Sequence, residues 1–122
     1  MAYIHNATRE EFVKAAAERG CPERTASALY TWQKHAVNGG GFLTAILRNN
    51  LADAYFRGDA GNRAALGAIV EVIWHDMVSD CHDLASSDHE KTQSWKGLDG
   101  GRLRKGGRVV GELNEKEPTE LS

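Results

Sequence analysis

The stretch Leu66–Met77 limits what this chain can fold into more than any other part of it. Leu66, Ile69, Val70, Ile73, Trp74 and Met77 recur at intervals of three and four, the period of one face of an α-helix. Val72 and Ala68 widen that stripe, so the segment from about Asn62 to Val78 reads as the central helix of a bundle. Alanine at Ile69 or Ile73 is then expected to cost about 2–5 kcal/mol.

The flanking sequence supplies partners for such a spine. Thr8-Arg9-Glu10-Glu11 has the form of a capping box, in which the threonine hydroxyl and the glutamate carboxylate satisfy opposite amides at a helix start. Phe12, Val13, Ala16 and Ala17 follow at helical spacing, Gly20 suits a left-handed stop, and Pro22 suits the first turn of a second helix. That helix carries Ala26, Leu29, Tyr30 and Ala36 on one side and is expected to end at Gly39-Gly40-Gly41. A third segment, Phe42–Arg57, places Phe42, Ile46, Leu47, Leu51, Ala54 and Tyr55 near one face, with a kink or break expected at Asn49-Asn50. Gly58-Asp59-Ala60-Gly61 gives a fresh start. Ser87-Asp88-His89-Glu90 repeats the capping-box pattern before a short last helix reaching about Lys96, with Trp95 turned inward.

The expected fold is therefore all-α, a small bundle of about five helices over residues 1–97, followed by a Gly-rich arm over 98–122. In that arm Arg102-Leu103-Arg104 and Arg108-Val109-Val110 flank Lys105-Gly106-Gly107, the pattern of a weak β-hairpin, and Glu112–Ser122 reads as an acidic solvated tail. With 122 residues there is room for one domain.

Charge and cysteine content narrow the setting. A formal net charge of −2 offers no general attraction to nucleic acid or anionic membrane. No apolar run approaches the roughly 18 residues of a membrane span. Cys21 and Cys81 alone make no disulfide framework, and no secretory leader precedes the first helix signal, so a host-cell cytoplasm is the expected location.

Three constellations carry chemistry. Ala16, Gly20, Ala26 and Leu29 fit a helix–turn–helix corner, whose second helix would offer Arg24, Thr25 and Ser27 to DNA. Glu23 and the balanced charges of the first helix argue against it, because phosphate contacts supply most non-specific affinity. The same corner, with Ala28-Leu29, resembles small ubiquitin-associated three-helix modules, and an ordinary helical corner is the favoured reading. The run His75–Glu90 concentrates His75, Asp76, Asp80, Cys81, His82, Asp83, Asp88, His89 and Glu90. Cys81 and His82 with His75 or His89 would make a zinc set, and hence a metal-dependent enzyme, but no C-x-x-C or H-E-x-x-H spacing is present. Surface histidines are favoured, and no metal or other cofactor is assigned. Finally, Arg102, Arg104, Lys105 and Arg108 form a basic arm suited to phosphates or to an acidic protein surface. No phosphate loop, nucleophile elbow or carboxylate pair signals catalysis.

The segment Gly40-Gly41-Phe42-Leu43-Thr44-Ala45-Ile46-Leu47-Arg48-Asn49-Asn50-Leu51-Ala52-Asp53-Ala54-Tyr55-Phe56-Arg57 resembles a group of short bacteriophage and prophage proteins of uncharacterised function. Asp59, Asn62, Ala65-Leu66, Ile69-Val70, the Cys81 turn and Trp95 extend the likeness over Gly40–Trp95. Around the cysteine turn that group carries a proline or small residue and a glycine, where this chain has Ser79-Asp80-Cys81-His82-Asp83-Leu84. The resemblance implies a context rather than a reaction: a non-catalytic accessory protein that binds and modulates a host or defence protein. The basic arm is its expected contact region, and self-association is compatible with it.

Overall fold

Thr8 opens the first helix as its sequence requires. Its hydroxyl accepts from the Glu11 amide at 3.1 Å, and the Glu11 carboxylate accepts from the Thr8 amide at 2.9 Å. The computed structural model describes residues 8–86, 88–100, 113–114 and 120–121. Seven α-helical segments follow one another: α1 Arg9–Glu18, α2 Glu23–His35, α3 Gly41–Leu47, α4 Leu51–Arg57, α5 Ala60–Ala64, α6 Leu66–Asp76 and α7 Glu90–Ser94. A 3-10 turn, Ser79–Cys81, lies between α6 and α7. Leu113–Asn114 pairs antiparallel with Glu120–Leu121. The body is all-helical.

Local chemistry explains most boundaries. Gly20 at φ +99° ends α1 with two bonds, from its own amide to the Ala17 carbonyl and from the Cys21 amide to the Ala16 carbonyl. Pro22 sits one residue outside α2 as its cap. Asn49 at φ +65° and the Asn50 side chain, which accepts from the Asp53 amide, split the third segment into α3 and α4. Asp59 caps α5 through the Asn62 amide at 2.8 Å.

Four sequence expectations need correction. The second helix stops at His35 rather than at the glycines, because Ala36 turns left-handed at φ +59°. The central helix is broken at Ala65, so with the Asn49-Asn50 split the described residues hold seven helical segments where about five were expected. No local breaker marks Ala65. Contacts from outside the helix hold the preceding turn: Thr25 donates to the Asn62 side chain, and Arg63 Nε donates to the Tyr55 carbonyl at 2.8 Å. Trp74 is 51% exposed, while Val72 from the edge of the stripe is fully buried with Ile69 and Ile73. Leu51 and Tyr55 also face outward, leaving Ala54 as the buried residue of α4.

The core gathers Phe12 and Ala16 of α1, Ala26, Leu29 and Tyr30 of α2, Leu43, Ile46 and Leu47 of α3, and Ile69, Val72 and Ile73 of α6. Polar side chains tie the connecting loops to α2. Gln33 is buried and accepts from the Val78 amide at 2.8 Å, where the chain leaves α6. Trp32 Nε1 donates to the Cys81 carbonyl at 2.8 Å, and Trp95 Nε1 donates to the Trp32 carbonyl at 2.9 Å. Leu98, at the start of the compositional arm, donates its amide to Gln33, and Asp99 donates to Lys34. The Asp99 carboxylate then meets His35 Nδ1 at 2.7 Å, with both side chains buried. Gly97 allows this approach: at φ +90°, a Cβ there would sit 2.6 Å from the Lys34 carbonyl oxygen.

Candidate binding site

Of the residues singled out between His75 and Glu90, Asp76, Cys81, His82, Asp83 and Asp88 have structural employment, whereas His75, Asp80 and Glu90 are exposed. Cys81 is fully buried and its thiol contacts the Val78 carbonyl at 3.2 Å; burial pushes its pKa up to about 12. His82 is buried against the Trp74 ring, accepts from the Leu84 amide, and is held below its ordinary pKa by burial and by the Lys91 charge. Asp83 is the cap of α7. Its carboxylate accepts from the Lys91 amide at 3.0 Å, the Thr92 amide at 2.9 Å and the Thr92 hydroxyl at 2.8 Å. Burial alone would raise that carboxyl, but the bonds from Thr92 and Lys91 outweigh it and hold it below the usual carboxylate range. His89, in the cap position of α7, is left-handed at φ +63° and makes no side-chain cap bond. Asp88 accepts from the Glu90 amide instead, while Ser87 lies outside the described residues. Among the described residues, no three His, Cys, Asp or Glu side chains converge in a manner that would hold a metal ion.

The helix–turn–helix corner is present as packing, yet its reading side chains are committed elsewhere. Thr25 is buried against Asn62, and the Ser27 hydroxyl and carbonyl both accept from Arg9. Only Arg24 and Glu23 of the expected DNA-facing set point freely outward, and their charges cancel. The basic arm residues Arg102, Arg104, Lys105 and Arg108, with the hairpin pattern around them, lie outside the described residues. Among the described residues no helix is long and apolar enough to cross a membrane.

A different surface stands out on α4. Phe56 is 74% exposed and Tyr55 45%, and their rings meet edge to face with centroids 5.4 Å apart. Leu51, one turn earlier on the side of Tyr55, is exposed too. Arg63 braces the pair from α5, with its guanidinium 5.1 Å from the Tyr55 ring centroid while its Nε holds the Tyr55 carbonyl. Sequence reasoning placed Tyr55 inward and passed over Phe56. Ala52 and Ala54 are equally small, and nothing in the sequence says that α4 buries Ala54 and turns both rings outward.

No protein-family model matches the chain, and neither a curated protein nor a solved structure is significantly similar to it.

Proposed function

We propose that this chain is a non-catalytic accessory protein of phage or prophage type that binds a host or defence protein through its outer surface. The observation that supports this reading is Phe56 standing out from a braced aromatic cluster. Single exposed apolar side chains are ordinary, but Leu51, Tyr55, Phe56 and Arg63 are grouped, and tyrosine and arginine are the types enriched at interface hot spots. A rigid aromatic ring held in place loses little freedom on docking. The partner this surface fits has an apolar pocket for one ring.

Affinity capture from host lysate with the full chain tests it. One specific partner is expected, retained by a Glu10→Ala control and lost with Phe56→Ala. Equal recovery by the Phe56→Ala chain refutes the role given to α4, and the absence of both a partner and self-association refutes the function.

A further inference from the structure

We propose that the outward face of α4 is an interface between two copies of this chain, paired antiparallel about a two-fold axis. The inference rests on the reading of α4 as a docking face and names a second occupant for it, one that competes with the foreign partner for Phe56. Ala54 is the buried residue of α4. At 100° per residue, the direction opposite Ala54 falls between Ala52 and Phe56, which form the centre of the outward face. Leu51 and Tyr55 make one flank, Asp53 and Arg57 the other. Five of these six are exposed and Asp53 is half-buried.

Each member of the face has its complement four residues away. A two-fold axis perpendicular to the helix at Ala54 brings Phe56 of one copy over Ala52 of the other, a large ring against a small methyl. The same operation turns like flanks toward each other. Tyr55 meets Leu51, apolar against apolar, and Asp53 meets Arg57, acid against base. These flanking pairs are staggered by about 3 Å along the axis, within reach of the tyrosine and arginine side chains.

The charged flank is what selects a second copy and its direction. Within one chain Arg57 Nε meets the Asp53 carboxylate at 2.9 Å, yet the two side chains stay 57% and 42% exposed. Each therefore remains open to its opposite on the other copy, and the four charges alternate in sign around the axis. A parallel pairing would set Asp53 against Asp53 and Arg57 against Arg57, and like charges face to face disfavour it. Arg63 already holds the Tyr55 ring from α5, so the face is in shape before docking. Seven helical residues span only about 10 Å, which places this contact among small, readily dissociating interfaces.

Sedimentation equilibrium of the full chain from about 5 to 500 µM tests this. A reversible monomer–dimer equilibrium with Kd of about 10–100 µM is expected. Phe56→Ala, Asp53→Arg and Arg57→Asp should each weaken it at least about tenfold; by symmetry, each charge reversal sets two pairs of like charges together. An equimolar mixture of the Asp53→Arg and Arg57→Asp chains should dimerise again to within about threefold of the parent, because two bases on one copy then face two acids on the other. Loss of the ion pair within one chain cannot produce that rescue. Far-UV circular dichroism checks the fold of each variant, and Phe56→Ala, at an exposed position, carries the test if a reversal perturbs it. The proposal is overturned if the chain is monomeric throughout, if Phe56→Ala dimerises like the parent, or if two folded reversal variants associate no better mixed than alone. A monomeric chain that still captures a host protein through Phe56 overturns this inference and spares the foreign partner. A Phe56-dependent dimer with no captured protein supports it and counts against the foreign partner alone.

Discussion

Replacing Asp83 with alanine should unfasten α7 and destabilise the whole body. The carboxylate accepts three hydrogen bonds from Lys91 and Thr92 and is almost fully buried. Loss of a capping side chain costs up to about 2 kcal/mol. Stranding the buried Thr92 donors adds about 1–3 kcal/mol, and the two overlap, so about 3–4 kcal/mol is expected. That is a large part of the roughly 5–15 kcal/mol a domain possesses. Chemical denaturation followed by tryptophan fluorescence measures it, because Trp95 follows α7 directly. The acid limb gives an independent check. The folded pKa of Asp83 is depressed, so its contribution is complete above the unfolded value of about 3.9 and fades as pH falls through the folded value. The alanine chain should lack that part of the acid sensitivity. A loss below about 1 kcal/mol, or an unchanged acid limb, would refute the assignment of Asp83 as the cap.

Ile73→Ala should cost about 2–5 kcal/mol by denaturation, and Trp74→Ala beside it less than about 1.5 kcal/mol, since only the isoleucine is in the core. Gly97→Ala should destabilise more than Gly100→Ala, by at least about 1 kcal/mol. Both glycines have positive φ, but only at Gly97 would a methyl group strike the backbone of Lys34 and His35. Cys21 and Cys81, buried and with pKa values raised to about 11 and about 12, should resist a thiol-reactive disulfide reagent at neutral pH and react fully once the chain is denatured.

Features encoded within four residues were legible in the sequence. The Thr8 box, the Gly20 stop, the Asn49-Asn50 break and the Asp59 start are all local transactions between a side chain and a nearby amide. The helical period of Leu66–Met77 was legible too, but not which way it faces. With apolar residues on most sides of α6, the turn of the helix is decided by what packs against it, and Val72 was buried where Trp74 was expected. Asp83 escaped because it caps amides eight and nine residues ahead of it, beyond any capping template. Phe56 escaped for a simpler reason. A phenylalanine is expected inside, and this one is informative by standing out.

The attachment of Gly97–Gly100 to the end of α2 decides where this molecule can be cut. Composition suggests trimming after Trp95 or Lys96, where glycines begin to accumulate. A fragment ending there would take away the carboxylate that meets His35 and the two amides that cover the last carbonyls of α2. Shortened chains meant to behave like the parent should therefore retain Asp99 and Gly100.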